Sequence, residues 1–538
     1  MKEFSALYRS IDETTKTNSK LAAMRAYFLN ASHEDAAWAV YFLSGERVKR
    51  LINTRTLREW AVQSSGVSEW LFEESYSWVG DLAETISLLV PSSALNTEGG
   101  LDFWVRQKIE PLKSVPLDRI HHELSCYWQS IGPSERFLFL KLVTGGLRVG
   151  VSKRLVTRAI ADAFQLPTEL VVHRLTGDWL PTADSFRMLI SKQAEKKLPS
   201  QPYPFCLANA IDNEPHSIGR PDEFLAEWKW DGIRAQLIKR SDQIFIWTRG
   251  EERVEDRYPE IRQSATNLPA GTVIDGEILA WQNNSPLPFS ILQKRLGRKT
   301  TSPKLLNEVP VVFMAYDLLE LNGKDVRGEP LSQRRLWLSD VLGETGLRLS
   351  EQINVLKHED APNWSELANI RESSRSMGAE GLMLKRWDSI YQVGRVRGAW
   401  WKWKIEPLTI DAVLIYAQKG HGRRSSLFTD YTFALWNQDR LVPFAKAYSG
   451  LTDAEIREVD AIIKTNLKEK FGPVRGVAPV LVMELAFENI QLSNRHKSGF
   501  AVRFPRILRW RRDRLARDAN TLDDLRDLVR THGMRQES

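Results

Sequence analysis

The octapeptide Glu227-Trp228-Lys229-Trp230-Asp231-Gly232-Ile233-Arg234 decides how the rest of the chain is read. As a strand over 224–231, it places Glu227, Lys229 and Asp231 on one face and Phe224, Ala226, Trp228 and Trp230 on the other. The apolar face is expected to pack inward and the charged face to line a cleft. A lysine held among carboxylates, followed by a glycine that permits close backbone approach, is a candidate nucleophile. An amphipathic surface strand has the same alternation, so the surrounding segments must decide.

Four further segments repeat the arrangement. In Val273-Ile274-Asp275-Gly276-Glu277-Ile278, the two acids point one way and Ile274 and Ile278 the other. In Trp400-Trp401-Lys402-Trp403-Lys404, both lysines share a face opposite Trp401 and Trp403. Glu380-Gly381 enters an apolar strand that ends at Lys385, and Thr248-Arg249-Gly250 ends a strand with a cation at its rim. Together they supply cations for phosphates and carboxylates for a divalent metal.

Around this core the pattern divides into three zones. Up to about residue 198 it is helical. Leu82, Ile86, Leu89 and Val90 fall at helix spacing, and Ala36 to Leu43 reads as buried. Gly145-Gly146 stops a helix through Phe137–Val143. Ser152 caps the next, whose stripe is Leu155, Val156, Ala159, Ile160 and Ala163. The proline-rich segment 198–204 reads as a linker. Strands are then expected over 224–231, 243–248, 273–279 and 311–318, with helices around 331–342 and 363–377. This α+β zone ends near Pro407. Beyond it come strands over 411–418, 431–436, 441–448 and 480–487. One helix interrupts them, opened by a Thr452–Glu455 capping box and closed at Gly472-Pro473. Five or so strands and one helix suit a small β-barrel. The expected domains are therefore 1–198, 199–407 and 408–538.

Composition excludes other classes. A chain of 538 residues suggests about three to four domains. Hydrophobic residues at 42% and charged residues at 27% exclude a wholly disordered or membrane-embedded chain. Lys plus Arg at 75 against Asp plus Glu at 68 gives 75 − 68 = +7, which permits a polyanionic partner without requiring one. Cys126 and Cys206 cannot build a disulfide framework or a four-cysteine zinc site. The nine histidines lack ligand-like spacing; His121, His122 and His421 read as surface residues. No stretch approaches the roughly 18 apolar residues of a membrane span. Met1-Lys2-Glu3-Phe4 lacks the apolar core of a secretory signal. An intracellular, soluble, multidomain protein is expected.

Lys229-Trp230-Asp231-Gly232-Ile233-Arg234 resembles the signature of the covalent nucleotidyltransferase superfamily. Further motifs resembling that superfamily's follow in its order: Arg249-Gly250, Asp275-Gly276-Glu277, Tyr316-Asp317, Glu380-Gly381 and Lys402-Trp403-Lys404. Arg511-Arg512-Asp513-Arg514 resembles the last motif, with Arg514 where lysine is usual. Within the superfamily the chain looks like an ATP-dependent DNA ligase of the three-domain type. The resemblance implies an all-α DNA-binding domain, an α+β nucleotidyltransferase (adenylation) domain and a C-terminal OB-fold β-barrel. The segment 145–152 resembles a phosphate-contacting stretch of the helical domain, which nominates Arg148 and Ser152 for DNA.

The resemblance also implies roles. Lys229 would attack the α-phosphate of ATP and carry AMP, Glu227 would contact the adenine amino group, and Tyr316 would stack on the base. Arg234 and Arg249 would contact the nucleotide and the nick 5′-phosphate. Glu277 would serve the ribose and a metal, and Glu380 a metal. Lys385, Lys402 and Lys404 would hold phosphates, with either Arg395 or Arg397 beside them. Arg511, Asp513 and Arg514 would orient the leaving pyrophosphate. ATP is the implied co-substrate, Mg2+ or Mn2+ the cofactor and nicked duplex DNA the partner, in replication, repair or recombination. A monomer is expected, cytoplasmic, and nucleoid-associated if bacterial. In the C-terminal run 503–517, seven arginines against one acid, Asp513, favour phosphate contact over a solvated face.

Three rivals share parts of this pattern. An NAD-dependent DNA ligase carries a four-cysteine zinc module that two cysteines exclude. An RNA ligase or capping guanylyltransferase lacks the helical N-terminal zone. A non-catalytic DNA-binding protein with a decayed core would not keep Lys229, Glu277, Glu380, Lys402 and Lys404.

Overall fold

The computed structural model describes residues 1–92, 98–147, 150–176, 179–192, 199–211, 214–296, 298, 301–343, 345–353, 364–420, 426–471 and 474–532. Arg148, His421, Leu198 and the Gly472-Pro473 helix stop lie outside them. The chain forms two compact units. One comprises Met1–Val171, Leu180–Lys192 and Pro407–Gly533; the other comprises Val172–Trp179 and Gln193–Glu406.

In the first unit the regular elements of the N-terminal region are all helices among the described residues, from Lys2–Asp12 to Ala183–Ile190. Local signals set several boundaries. Ser152 caps Lys153–Phe164 by accepting from the Leu155 amide, and Gly145, at φ +65°, follows the end of Pro133–Val143. Helix Leu82–Leu89 and helix Leu117–Gln129 are joined at their C-terminal ends by a buried cation, Arg136. Its guanidinium donates to the carbonyls of Ser87, Val90, Pro91, Trp128 and Ile131 and to Ser92 Oγ at 2.8 Å. No carboxylate among the described residues pairs with it. The negative ends of two helix dipoles stand in for a counter-ion.

Also in this unit, strand Leu408–Lys419 is long and shared. Its first half pairs with Val482–Phe487, its second with Val474–Val477, and Phe428–Asn437 lies along the other edge. The seven-stranded sheet curls around Leu414, Phe433, Met483 and Leu485 as a partial barrel of the OB type. Helix Asp453–Thr465 opens with the expected capping box, both halves formed. The expectation of five strands and one helix falls short. Leu467–Phe471, Asn489–Leu492, Phe500–Arg503 and Arg506–Trp510 are further strands, and Leu522–His532 is a second helix. Each added strand is five residues or shorter, too short for alternation alone to mark it.

The second unit holds two main sheets and a short parallel pair, Cys206–Leu207 with Gly394–Arg395. The larger runs Arg348–Leu349, Val311–Leu321, Thr272–Gln282, Ile233–Arg240, Gln243–Thr248. The smaller runs Asn209–Ala210, Trp400–Lys404, Ala379–Arg386, Phe224–Trp230. Ile238, Trp247, Val273 and Leu319 of the first pack with Cys206, Tyr391 and Trp400 beside the second. Asp231-Gly232 is the turn by which the chain leaves the smaller sheet and enters the larger. A Cβ on Gly232 would lie 2.4 Å from the Ile278 carbonyl oxygen, so only glycine makes that crossing. Ile233–Arg240 was not expected as a separate strand. Its inner face carries Arg234 and Gln236, both satisfied by buried partners, which blurs the hydrophobic period.

Candidate functional site

Strand Phe224–Trp230 divides its side chains as its alternation predicts. Phe224, Ala226 and Trp228 pack outward under helix Trp364–Glu372 with Leu382, Leu384, Trp401 and Trp403. Glu227 and Lys229 face the other way, on the side of the sheet that carries Trp400 and Met383. Lys229 Nζ is ion-paired to Glu380, and Lys404 Nζ lies 3.2 Å from the same carboxylate oxygen.

Regular alternation would put Glu380 on the outer face with Leu382 and Leu384. A bulge prevents that. The register against Phe224–Trp230 shifts between Ala379 and Leu382, and Gly381 sits at φ +139°. A Cβ there would come within 2.2 Å of the Trp403 carbonyl oxygen. The glycine therefore flips one residue of the strand, turning Glu380 inward to meet Lys229 and Lys404.

Burial alone would raise the Glu380 carboxyl, but Lys229 and Lys404 hold it down at about 2. Glu277, from Thr272–Gln282, is the contrasting acid. Burial pushes it up to about 8 against the pull of Lys229 and Arg234. Lys402 is pushed down by burial and by the nearby Arg395, Lys404 and Lys229. It has no carboxylate partner among the described residues, which leaves it open to an incoming phosphate. Of the two arginines that the motif leaves open, both are exposed, and Arg395 is the one near enough to push Lys402 down, while Arg397 lies on the following turn.

Glu277 makes the site pH-sensitive in a defined direction. A carboxyl raised on folding supports the fold while protonated. Its contribution is whole below the ordinary value of 4.5 and is lost as pH rises through about 8. Glu277→Gln should accordingly flatten the decline of stability between about pH 5 and pH 9, measured by urea melts against the wild type. An unchanged decline would assign it to other groups.

A second cluster lies around Glu227, which is 1% exposed. Lys385 Nζ is 2.6 Å from Oε2 and Arg335 Nη1 is 2.9 Å from Oε1. The Lys385 ammonium also sits 4.3 Å from the Tyr316 ring and 4.4 Å from Trp400. Lys385 was expected among phosphate contacts. Instead the structure buries it between Glu227 and these two rings, away from the Lys402–Lys404 pair in partner choice. Arg234 was expected at phosphates too, but its fork is bound to Asp275, at 2.7 and 3.2 Å, and to the Cys206 carbonyl at 2.7 Å. Arg249 is exposed on the turn after Gln243–Thr248, with no side-chain partner among the described residues.

The C-terminal candidates belong to the other unit. Arg511 Nη1 is 2.7 Å and Arg514 Nη1 2.9 Å from Asp411 Oδ2, and Arg511 also forks onto Asp513 at 2.9 and 2.7 Å. Arg506 pairs with Glu488, Arg509 with Glu484, Arg512 with Glu458 and Arg517 with Asp518. At least six arginines of 503–517 thus meet a carboxylate, mostly one from elsewhere in the chain. A window over the run could not reveal those acids, because most of them lie outside it. Ser152 spends its hydroxyl on its helix cap.

No motif or periodicity in the sequence marks Arg335 or Asp411 as a site residue. Arg335 sits in an ordinary helical stretch, and Asp411 looks like any strand acid until the fold brings Arg511 and Arg514 to it.

Family models match along most of the chain. "ATP dependent DNA ligase domain" covers 206–404, "DNA ligase N terminus" 1–161 and "ATP dependent DNA ligase C terminal region" 424–514. A "Probable DNA ligase" of Koribacter versatilis (strain Ellin345) is 32% identical over 564 aligned positions, covering 97% of this chain and 95% of that protein. A "DNA ligase" of Thermococcus fumicolans is 26% identical, covering 98% and 97%. The solved structure named "Pmar-Lig_Pre." aligns with a TM-score of 0.60 at 16% identity, over 94% of this chain and 99% of that one, a likeness of fold.

Proposed function

Because the chain belongs to the ATP-dependent DNA ligase family, we propose that Lys229 is its nucleophile and that the two carboxylate clusters bind the nucleotide. The observation that carries this reading is the convergence of Lys229, Glu380, Lys402 and Lys404 on one face of the smaller sheet, with Glu277 of the larger sheet near enough to feel Lys229 and Glu380. After Lys229 gives up a proton to solvent, its neutral amine forms a bond from Nζ to the α-phosphorus of ATP while the bond to pyrophosphate breaks. A second N–H proton is lost to solvent to leave the phosphoramidate. AMP then passes to the 5′-phosphate of a nick, and the 3′-hydroxyl displaces it to seal the strand. Glu380, held near 2, is too weak a base to keep the Lys229 proton, so it orients the amine. Lys402 and Lys404 supply positive charge to phosphate oxygens. Glu227 takes the adenine amino group and Tyr316 the ring face.

Among the described residues there is no cluster of three potential metal ligands. Glu277 and Glu380 form a two-carboxylate set, which suits Mg2+ or Mn2+ bound mainly through nucleotide phosphates and water. When bound, the ion supplies charge against the triphosphate. The helical region is taken to grip duplex DNA through its backbone, with little sequence preference. We further propose functional domains at 1–198, 199–407 and 408–538, a monomeric state and, in a bacterium, a place at the nucleoid. No helix among the described residues is long and apolar enough to cross a membrane.

The test is to mix the protein with α-labelled ATP and nicked duplex, expecting labelled protein and then sealed strand. Absence of both would remove the proposal. Arg511→Ala separates the steps. If Arg511 orients pyrophosphate, self-adenylation should fall by about a hundredfold, while sealing of a pre-adenylated nick, which has no pyrophosphate, should fall far less. Equal losses would assign Arg511 to holding Asp411 and the barrel. Arg514→Lys should be tolerated, since it keeps the charge while losing only the planar fork.

A further inference from the structure

We propose that Arg335 is a positioning residue that sets the base selectivity of the nucleotide site by fixing Glu227, an inference that rests on Glu227 being the adenine contact. Arg335 lies in helix Leu331–Leu342, outside every motif that led to the site. Its guanidinium spans two partners. Nη1 donates to Glu227 Oε1 at 2.9 Å, and Nη2 donates to the Ser350 carbonyl. Both ends of the fork are occupied, and the side chain is 11% exposed.

The helix that carries Arg335 is itself pinned beside the base-stacking residue. Arg334 forks onto Asp317 at 2.8 and 3.0 Å and donates to the Ser389 carbonyl at 2.9 Å. Asp317 immediately follows Tyr316. Two consecutive arginines on one helix turn therefore tie down both proposed base contacts, the carboxylate and the ring. Glu227 is held at Oε1 by Arg335 and at Oε2 by Lys385, so its plane is fixed from two sides.

An ionised carboxylate only accepts hydrogen bonds. Adenine offers it an amino group at position 6; hypoxanthine offers a carbonyl oxygen. A carbonyl facing a fixed carboxylate is penalised because neither group can donate. The penalty lasts only while Glu227 cannot turn. Without Arg335 the carboxylate is tethered by Lys385 alone, a point charge on a flexible stem. Glu227 could then rotate and let a 6-carbonyl base in, with Lys385 as donor. Arg335 thus acts by excluding the wrong base as much as by holding the right one.

The experiment is single-turnover self-adenylation of the full chain with ATP and with inosine triphosphate, for the wild type, Arg335→Met and Arg335→Lys. Arg335→Met should raise the KM for ATP and lower the preference for ATP over inosine triphosphate, each by about tenfold, the value of one charge-assisted hydrogen bond. The maximal rate should change much less, because Lys229 and Glu380 are untouched. Arg335→Lys should recover part of the preference. Thermal melts run alongside. If Arg335→Met does not fold, Arg335→Lys carries the test, and it must still lie below the wild type in preference. An unchanged preference in a folded variant, or equal losses with both nucleotides, overturns the proposal and leaves Arg335 a fold-supporting ion pair. A wild type that forms no adduct with ATP would instead refute the underlying reading of the site.

Discussion

Lys229→Ala is expected to yield folded protein that takes up no label from α-labelled ATP. The loss should be complete rather than graded, since the mutation removes the atom that would bond to phosphorus. The fold should survive for a reason visible in the pairing. Glu380 is shared between Lys229 and Lys404, so removing one lysine does not leave its buried carboxylate alone. Trp228 continues to anchor the strand from the opposite face. The variant should still seal, if weakly, a nick that already bears 5′-linked AMP, because that step forms no bond to Lys229. A labelled adduct in Lys229→Ala would place the nucleophile elsewhere.

Arg136→Met should have the largest effect on stability. Arg136 is fully buried and serves five carbonyls and a hydroxyl at the ends of Leu82–Leu89 and Leu117–Gln129. Methionine fills much of the volume but supplies no donor, so carbonyls already stripped of water lose their partners together. Such a break is expected to cost about 3–5 kcal/mol. Because the lesion lies in the helical region, hydrogen exchange should quicken in those two helices while residues 224–248 keep their protection. Arg136→Lys should recover only part, since one ammonium cannot reach all six acceptors. Equal protection in wild type and Arg136→Met would reduce the residue to space filling.

What could be read in advance follows the range of the interaction responsible. The Ser152 cap and the Thr452–Glu455 box are closed within three residues, and both form as their spacing implies. The inward face of Glu227 and Lys229 follows from strand alternation, and so do Lys402 and Lys404 opposite Trp401 and Trp403. Glu380 is the instructive failure of that rule. Its sequence neighbours place it outward, and only the Gly381 bulge against Trp403 turns it in. Lys385 was legible as a functional lysine but not as a partner of Glu227, since that pairing spans separate strands. Arg335 and Asp411 gave no signal at all. Their importance comes from partners 108 and 100 residues away.

The pairing of the C-terminal arginines changes what binding a polyanion would mean for them. A cation released from solvent into contact with DNA expels a condensed counter-ion, and that release steepens the salt dependence. Arg506, Arg509, Arg511, Arg512, Arg514 and Arg517 already hold carboxylates. For them a phosphate arrives by ligand exchange, one anion displacing another. The displaced carboxylate keeps its charge beside the newcomer and opposes it. The run therefore behaves less as a magnet than as a set of occupied sockets, engaged only where geometry lets phosphate outcompete Asp or Glu. Counting its arginines would overstate both its long-range attraction and its contribution to the salt slope.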